Sequence, residues 1–384
     1  MNQLTNRDIV ELVEWRHALH RRPEVSGEER ETAAAVVDFI NPTGPDWMVT
    51  GLGGHGIAAV YDSGHPGPTV LFRCELDGLP IEEISDLPYR SEIAGRGHLC
   101  GHDGHMATLA ALARLLGRRK PARGRVVLLF QPAEENGAGA AAVIADPRFA
   151  GIRPDYAFSL HNMPGIAPGE ARLSAGPANC ASRGMKIVLA GKTSHASAPE
   201  DGVSPMTALS KLMPELTALG PGGVLGAAYR LVTVTHVEMG EPAFGIAPGR
   251  GELWATLRTL TDSAMAGLVE AAEALVRKVA DDARLGLTIT YHDVFHHCDN
   301  DAEAVAILRA AFDAEHIRHE EAEIVRASED FGLFGSRAGA KSAMFWFGSG
   351  EKSPQLHNPD FDFPDALIEP GARIFARVAR DLLG

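Results

Sequence analysis

The chain has 384 residues, of which 45% are hydrophobic and 22% are charged, a composition typical of a globular protein with room for more than one core. Its formal net charge is −14 and it has no long basic run, so we expect neither nucleic acid nor an anionic membrane as a partner. No apolar run approaches the roughly 18 residues of a membrane span, and the N-terminal stretch lacks a signal-peptide pattern. The four scattered cysteines form no Cys-x-x-Cys pair, which indicates a reducing, cytoplasmic setting.

Helical and strand patterns alternate on both sides of residues 182–294. Two helices are predicted within residues 9–40, separated at Arg22-Pro23 because a proline disfavours helix in the residue before it. Further apolar runs predict strands at 56–62, 68–78, 125–132 and 155–162, and helices at 107–120, 140–147 and 366–383. This alternation is typical of an α/β fold. We therefore expect residues 1–181 and 295–384 to form one domain with a mixed, largely parallel sheet flanked by helices.

Residues 182–294 have a different pattern. The predicted order is a strand at 185–191, a helix at 204–219, strands at 229–240 and 250–260, a helix at 263–285 and a strand at 286–295. The order β-α-β-β-α-β is that of ferredoxin-like α+β domains. The sequence therefore predicts that residues 182–294 form a small domain inserted into the first one.

Two pairs of carboxylates follow predicted strands of the first domain. Glu75 and Asp77 lie on one face at the end of an apolar strand, where they are either solvated or compensated by a positive charge. Glu134 and Glu135 come directly after the strand that ends at Pro132. Neighbouring side chains point apart, so one glutamate can bind a metal while the other faces a water. Taken alone, such a pair is more often an ordinary surface feature.

The stretch LCGHDGH, residues 99–105, concentrates Cys100, His102, Asp103 and His105. It is too short to be a structural zinc module, so a metal half-site, a redox thiol and a polar loop all stay open. Three further histidines are candidates for the site. His161 lies at a predicted strand end, His195 lies in the loop after the first strand of the inserted domain, and His357 lies in a turn-rich loop. A single histidine at any of these places is more often structural.

Taken together, the motifs resemble the M20 family of metallopeptidases, and specifically its amidohydrolase branch of hippurate hydrolases, N-acyl-amino-acid amidohydrolases and plant auxin-conjugate hydrolases. The stretches that carry the resemblance run almost from end to end in the order of the family: HRRPEVSGEERETA, FRCELDGLPIEE, GHLCGHDGHMA, FQPAEENGAGA, SLHNMPG, GKTSHASAPEDGVSP, WATLRT, ASEDF and LHNPDFDF.

The resemblance implies two divalent metal ions per chain, zinc or manganese, with cobalt or nickel as alternatives. The implied ligands are Cys100, His102, Glu135, His161 and His357. Glu134 would be the general base, and the residues that support the ligands would be Glu75, Asp77 and Asp103. His195 would bind the substrate and help to polarise its carbonyl, in some members from a partner subunit, while Arg258 would anchor a substrate carboxylate.

The predicted function is cleavage of the amide bond of an N-acyl amino acid, or a related small amide, by a metal-activated water. The alternatives are a dipeptidase or aminopeptidase of the same fold, and a non-catalytic small-molecule binding protein. Family members also commonly form homodimers through the inserted domain, and we expect one here. One departure stands out: Gly245 occupies the place of an asparagine that contacts substrate in many members, so recognition of the substrate carboxylate is expected to differ.

Overall fold

The structure is a computed structural model that describes residues 3–384, and the chain divides into two compact units. The first unit comprises the chain up to Ala178 together with Cys298–Glu323 and Glu329–Gly384, and the second comprises Asn179–His297 together with Ile324–Ser328. Among the described residues, no helix combines the length and the apolar character needed to cross a membrane.

The helices and strands are as follows. The helices are α1 (Asn6–His20), α2 (Arg30–Ile40), α3 (His102–Arg118), α4 (Gly139–Ala145), α5 (Met206–Leu219), α6 (Asp262–Asp282), α7 (Ala302–Ala314), α8 (Gly332–Ser336) and α9 (Ile368–Leu383). The strands are β1 (Trp47–Leu52), β2 (Gly56–Asp62), β3 (Thr69–Glu75), β4 (Arg125–Gln131), β5 (Tyr156–Pro164), β6 (Ala171–Arg172), β7 (Gly176–Asn179), β8 (Ala181–Ala190), β9 (Ser194–His195), β10 (Arg230–Met239), β11 (Ile246–Ala247), β12 (Arg250–Thr259), β13 (Gly286–Phe295), β14 (Cys298–Asn300), β15 (His319–Glu320) and β16 (Lys341–Gly350).

The first unit is built on an eight-stranded sheet in the order β1-β2-β4-β3-β5-β16-β6-β15. The four central strands, β4, β3, β5 and β16, pair in parallel, whereas β1, β2 and β6 pair antiparallel towards the edges. Central strands of this kind are covered on both faces, and most of their residues are buried. Apolar residues of α1, α2, α3, α7 and α9 join the sheet in one core. The predicted mixed, largely parallel sheet flanked by helices is confirmed.

The parallel strands bring the predicted chemistry to one edge of this sheet. β3 and β4 lie side by side in a register that pairs Glu75 with Gln131, and β3 also pairs with β5. The residues that follow β3 and β4, and the last residues of β5, therefore lie at the same carboxyl edge. Ligand sites in α/β sheets are typically found at this edge.

The second unit contains a four-stranded antiparallel sheet in the order β10-β12-β8-β13. α5 and α6 pack on it through a core that includes Leu189, Leu212, Leu253 and Leu268. The chain order of these elements is β-α-β-β-α-β, the ferredoxin-like arrangement predicted from the sequence. A short ladder of β9 and β11 pairs His195 with Ile246.

Several features differ from the sequence predictions, among them the start of α3 and three elements that are not predicted, β1, α7 and β16. Helix α3 begins at His102, five residues before the predicted start, directly after Gly101 with φ 91°. A side chain at Gly101 would meet Asn162, so only glycine fits this close turn. The strand β16 is absent from the predicted elements although its apolar run AMFWF, residues 343–347, is typical of a buried strand.

Candidate metal centre

The structure brings the five predicted ligands together in the first unit. Cys100 and His102 lie at the start of α3, Glu135 follows β4, His161 is in β5, and His357 lies in the loop after β16. Their donor atoms form overlapping groups in which all atoms lie within 4.8 Å of one another: Cys100 with His102 and His161, Cys100 with Glu135 and His357, and His102 with Glu134 and Glu135. The groups share members, so they describe one continuous cluster of donors.

Cys100 and His161 form a buried pair within this cluster. The Cys100 Sγ lies 3.5 Å from the His161 Nε2. The His161 Nδ1–H donates to the carbonyl oxygen of Asn162 at 2.8 Å, which leaves the Nε2 lone pair directed at the sulfur. Burial and the charges of Glu135 and Glu134 raise the pKa of the Cys100 thiol well above its usual range. A thiolate here therefore requires a compensating positive charge.

His102 is oriented by the peptide of Asp77. Its Nδ1–H donates to the Asp77 carbonyl oxygen at 2.8 Å, so the Nε2 lone pair faces the opposite way. There it lies 3.8 Å from Glu135 Oε1 and 3.9 Å from Glu134 Oε2. Burial opposes protonation of His102, but contact with Asp77 and the charge of Glu135 raise its pKa above the usual value. The surroundings of Nε2 therefore favour positive charge.

This arrangement provides a test of whether the residues fit a metal. His102 Nε2 and Glu135 Oε1 are buried, and neither has a hydrogen-bond partner among residues 3–384. Two lone-pair atoms facing each other repel unless a cation lies between them or a proton is shared. A mixed set of thiolate, imidazole and carboxylate donors suits zinc and related divalent ions. The donor set and its orphaned atoms fit a divalent metal centre.

His357 lies on the open side of the cluster. Its side chain is 48% exposed and its Nε2 is 3.5 Å from Glu135 Oε2. The backbone has φ 66°, in the left-handed region that few non-glycine residues adopt, and its N–H donates to the Leu99 carbonyl at 2.8 Å. Strained backbone of this kind persists where the surrounding structure holds it, often at functional sites.

Glu134 lies beside the donor cluster but is not one of the five predicted ligands. It is 5% exposed, and burial together with the charges of Glu329, Glu135 and Asp330 raises the pKa of its carboxyl well above the usual range. A carboxylate whose pKa is raised in this way takes up a proton more readily than an exposed carboxylate does. Its position and its pKa both match the demands on a general base.

The predicted supporting carboxylates have distinct partners. Asp77 Oδ2 accepts from the Ser26 hydroxyl at 2.7 Å and from the Glu135 N–H at 2.9 Å, so Asp77 holds the backbone of one predicted ligand and, through its carbonyl, the ring of another. Glu75 contacts Arg73 and lies 2.6 Å from His105 Nδ1. Burial and the neighbouring His102 lower the pKa of His105 to about 3, so His105 is neutral and donates from Nδ1.

Asp103 is buried on the side of α3 that faces α1, and it touches none of the predicted ligands through its hydrogen bonds. Its Oδ2 accepts from Arg16 Nη1 at 3.1 Å and lies 2.8 Å from His20 Nδ1. The same Arg16 Nη1 donates to Asp362 at 2.8 Å. Asp103 thus ties the start of α3 to α1, and Arg16 ties both to the segment that follows His357.

His195 and Arg258 belong to the second unit. His195 is exposed, and its Nδ1 accepts from the Ser197 N–H at 3.1 Å, which places the ring proton of the neutral imidazole on Nε2. It can therefore donate a hydrogen bond to an oxygen. Arg258 is half-buried, and its Nη1 donates to the Arg326 carbonyl at 2.8 Å and to Ser328 Oγ at 2.9 Å. Gly245 directly precedes β11, and a Cβ added there would meet no atom within 4 Å.

Sequence reasoning missed a buried charge cluster behind the donors. Arg73, 1% exposed, pairs with Glu329 at 2.8 Å and with Asp330 at 2.7 Å, and it also contacts Glu75. Burial and Glu329 raise the pKa of Asp330 to about 7, against the opposing effect of Arg73. The available signal was an arginine inside the apolar run VLFRCEL, since a buried guanidinium needs carboxylate partners.

Comparison with known proteins shows the family of this chain. The sequence profile of Peptidase family M20/M25/M40 matches residues 71–381. An N-acetyl-L-cysteine deacetylase of Bacillus subtilis is 30% identical over 374 residues, covering 97% of this chain and 88% of that protein. A hippurate hydrolase of Campylobacter jejuni is 29% identical, covering 95% of this chain and 94% of that protein.

A solved structure shares the fold. The Bacillus subtilis YXEP protein, described as a dinuclear metal binding peptidase from the M20 family, has a TM-score of 0.80 and 24% identity, with 99% of each chain covered. The present chain belongs to Peptidase family M20/M25/M40 and is a hydrolase of that family, as the motifs predicted.

Proposed function

We propose that this protein is a metal-dependent amidohydrolase that cleaves the amide bond of an N-acyl amino acid or a related small amide. The observation that carries the proposal is the position of Glu134 beside the five convergent donors. One of these donors is the neighbouring Glu135, whose carboxylate is turned towards His102 Nε2. A proton acceptor next to a cation site is what water activation requires. The names of the deacetylase and hydrolase relatives support an acylated substrate.

The ligands of two divalent ions would be Cys100, His102, Glu135, His161 and His357, with zinc or manganese as the expected metal. When bound, such ions lower the pKa of a water and polarise a carbonyl. Asp77 keeps Glu135 and His102 in place through one hydrogen bond to each.

Glu134 would take the proton of the attacking water and pass it to the nitrogen of the departing amine. Its raised pKa suits both transfers, because the carboxyl must gain and lose a proton in one cycle. His195 would donate its Nε2–H to the carbonyl oxygen as negative charge develops there, a contribution typically worth about 10²–10³ in rate. Arg258 would attract the substrate carboxylate through the part of its guanidinium that Arg326 and Ser328 do not occupy.

The experiment is a metal assay followed by a substrate panel. The protein is reconstituted with zinc or manganese, dialysed exhaustively and analysed by plasma mass spectrometry, and about two retained ions per chain are expected. It is then offered N-acetyl and N-benzoyl amino acids beside dipeptides with free amino groups. Release of the amino acid from acylated substrates supports the proposal, whereas turnover of dipeptides alone would make the protein a dipeptidase. Retention of metal without any turnover would favour a binding protein.

We also propose a homodimer formed through residues 182–294, the predicted inserted domain. β10 is an edge strand of its sheet, and Val237 and Met239 on it are each 38% exposed. An exposed edge with apolar side chains is a template for pairing with a second copy. Light scattering after gel filtration tests the stoichiometry.

The four cysteines are free and buried, and they support a reducing, cytoplasmic location.

A further inference from the structure

A buried carboxylate outside the donor cluster contacts the backbone next to Glu134. Glu29 is 0% exposed and directly precedes α2. Its Oε1 accepts a hydrogen bond from the Ala133 N–H at 2.7 Å. Its Oε2 is buried and has no hydrogen-bond partner in the described part of the chain. A carboxylate is costly to bury in this way, so its retention at this point calls for an explanation.

The peptide that Glu29 holds is strained. Ala133 has φ 51°, a left-handed conformation that alanine rarely adopts and that is strained. This turn connects the end of β4 to the segment that contains Glu134. Were Ala133 to relax to an ordinary conformation, the direction of the following side chain would change.

Other contacts fix the rest of the turn. The Ala133 carbonyl accepts from the Gly139 N–H at 2.9 Å, and the Glu134 carbonyl accepts from the Gly137 N–H at 2.8 Å. A side chain at Gly139 would collide with the Pro132 carbonyl oxygen, so the chain closes tightly here. The Glu135 N–H is held by Asp77. Glu29 therefore supplies the hydrogen bond on the side of Glu134 that Asp77 does not reach.

We propose that Glu29 is a positioning residue that fixes the direction of the Glu134 carboxylate by accepting the hydrogen bond of the strained Ala133 peptide. The role in catalysis rests on the proposed function of Glu134 as general base. The contact itself is independent of that function. A shift of about 1 Å in a reacting group can lower a rate roughly 10²-fold, which sets the expected effect.

The experiment compares Glu29→Ala, Glu29→Gln and Glu29→Asp in the metal-loaded protein, with Glu28→Ala as control. Glu28 is an exposed neighbour paired with Arg96, so its removal deletes the same charge without touching Ala133. Glu29→Ala is expected to lower kcat about 10²-fold, with KM and metal content as in the wild type. Glu29→Gln keeps an oxygen acceptor and should retain most of kcat. Glu29→Asp keeps the charge, but its shorter side chain moves the carboxylate away from the Ala133 N–H. This variant should therefore lower kcat as Glu29→Ala does.

A second readout needs no activity. Hydrogen–deuterium exchange of the peptide that contains Ala133 should be faster in Glu29→Ala and Glu29→Asp, and unchanged in Glu29→Gln and Glu28→Ala. Unchanged exchange in Glu29→Ala, or equal losses of kcat in the Gln and Asp variants, would overturn the proposal. Should Glu29→Ala not fold, the Gln and Asp pair decides alone. A wild-type protein that cleaves no amide would refute the proposed function, and the exchange data would still decide whether Glu29 holds this turn.

Discussion

His102 Nε2 and Glu135 Oε1 lie 3.8 Å apart, and both atoms are buried without a hydrogen-bond partner among residues 3–384. The His102 proton is committed to the Asp77 carbonyl, and the backbone N–H of Glu135 is committed to the Asp77 carboxylate. One aspartate therefore turns two lone-pair atoms towards each other. A cation between such atoms removes their repulsion, so the donor cluster fits a metal ion.

Replacing Glu134 by glutamine should separate catalysis from metal binding. Glutamine has the same shape but cannot accept and return a proton, so kcat is expected to fall by about 10²–10⁴. Metal content should stay unchanged. Because burial and the charges of Glu329, Glu135 and Asp330 disfavour the ionised carboxyl and raise its pKa, the melting temperature of the metal-free protein should not fall. Retained turnover would remove Glu134 as the base.

Two buried cysteines, Cys100 and Cys74, allow the role of Cys100 as a metal ligand to be tested against a control. Cys100→Ala should lower the metal content of the reconstituted protein from about two ions per chain to one or fewer, because a donor is lost. Cys74→Ala removes an equally buried thiol that belongs to the apolar core, and it should leave metal content unchanged. Equal metal content in both variants, measured by plasma mass spectrometry, would contradict the role of Cys100 as a ligand.

His195→Ala tests the exposed histidine of the second unit. Loss of a hydrogen-bond donor to the developing oxyanion should reduce kcat by about 10²–10³. Exposed substitutions seldom change stability by more than about 0.5 kcal/mol, so the melting temperature and metal content should match the wild type. His236→Ala, another exposed histidine of this unit, is the control. Normal kinetics in His195→Ala would leave His195 an ordinary loop residue.

The buried pair of His20 and Asp103 predicts a pH dependence of stability. Burial disfavours the charged imidazole, but the charge and hydrogen bond of Asp103 override it and raise the pKa of His20 to about 9. An unfolded histidine titrates near about 6.5. The protonated pair therefore stabilises the fold fully below about pH 6.5, and this contribution, up to roughly 3 kcal/mol, is lost as the pH rises through about 9.

The measurement is urea unfolding of wild type and His20→Gln between pH 6 and about pH 9.5. The difference in free energy of unfolding between the two proteins should be largest at low pH and shrink as the pH rises. His65→Gln, at an exposed position, should follow the wild type throughout. A constant difference between wild type and His20→Gln would show that His20 does not titrate in this range.

Gly245→Asn restores the amide that many family members carry. The position has open space and a backbone without a left-handed φ, so asparagine fits without strain. A new hydrogen bond to a substrate carboxylate should lower KM for N-acyl amino acids about tenfold, since such a bond is worth roughly 1.5–3 kcal/mol. Gly226→Asn, at an equally open position of the same unit, should leave KM unchanged. An unchanged KM in Gly245→Asn would mean that the substrate carboxylate is bound elsewhere.

The sequence predicted the main elements because their signals are local. Apolar runs such as VVLLF in β4 identify strands buried on both faces, and the spacing of apolar residues identifies the helices. The predicted start of α3 is five residues late, because a helix that opens with HDGH has no apolar pattern until its second turn. The strand β16 is not predicted although AMFWF is an uninterrupted apolar run, because so short a run fits a buried strand and a buried helix segment equally well.

The sequence by itself determined the residue types of the site and, through its ordered motifs, the family. Only the tertiary structure decided which atoms meet. It directs His102 Nε2 at Glu135 through the Asp77 carbonyl, pairs Arg73 with Glu329 and Asp330, and places Glu29 against Ala133. Such contacts join segments far apart in the chain, and they depend on strand order and on which groups burial leaves without water. Periodicity along the chain carries no information about either.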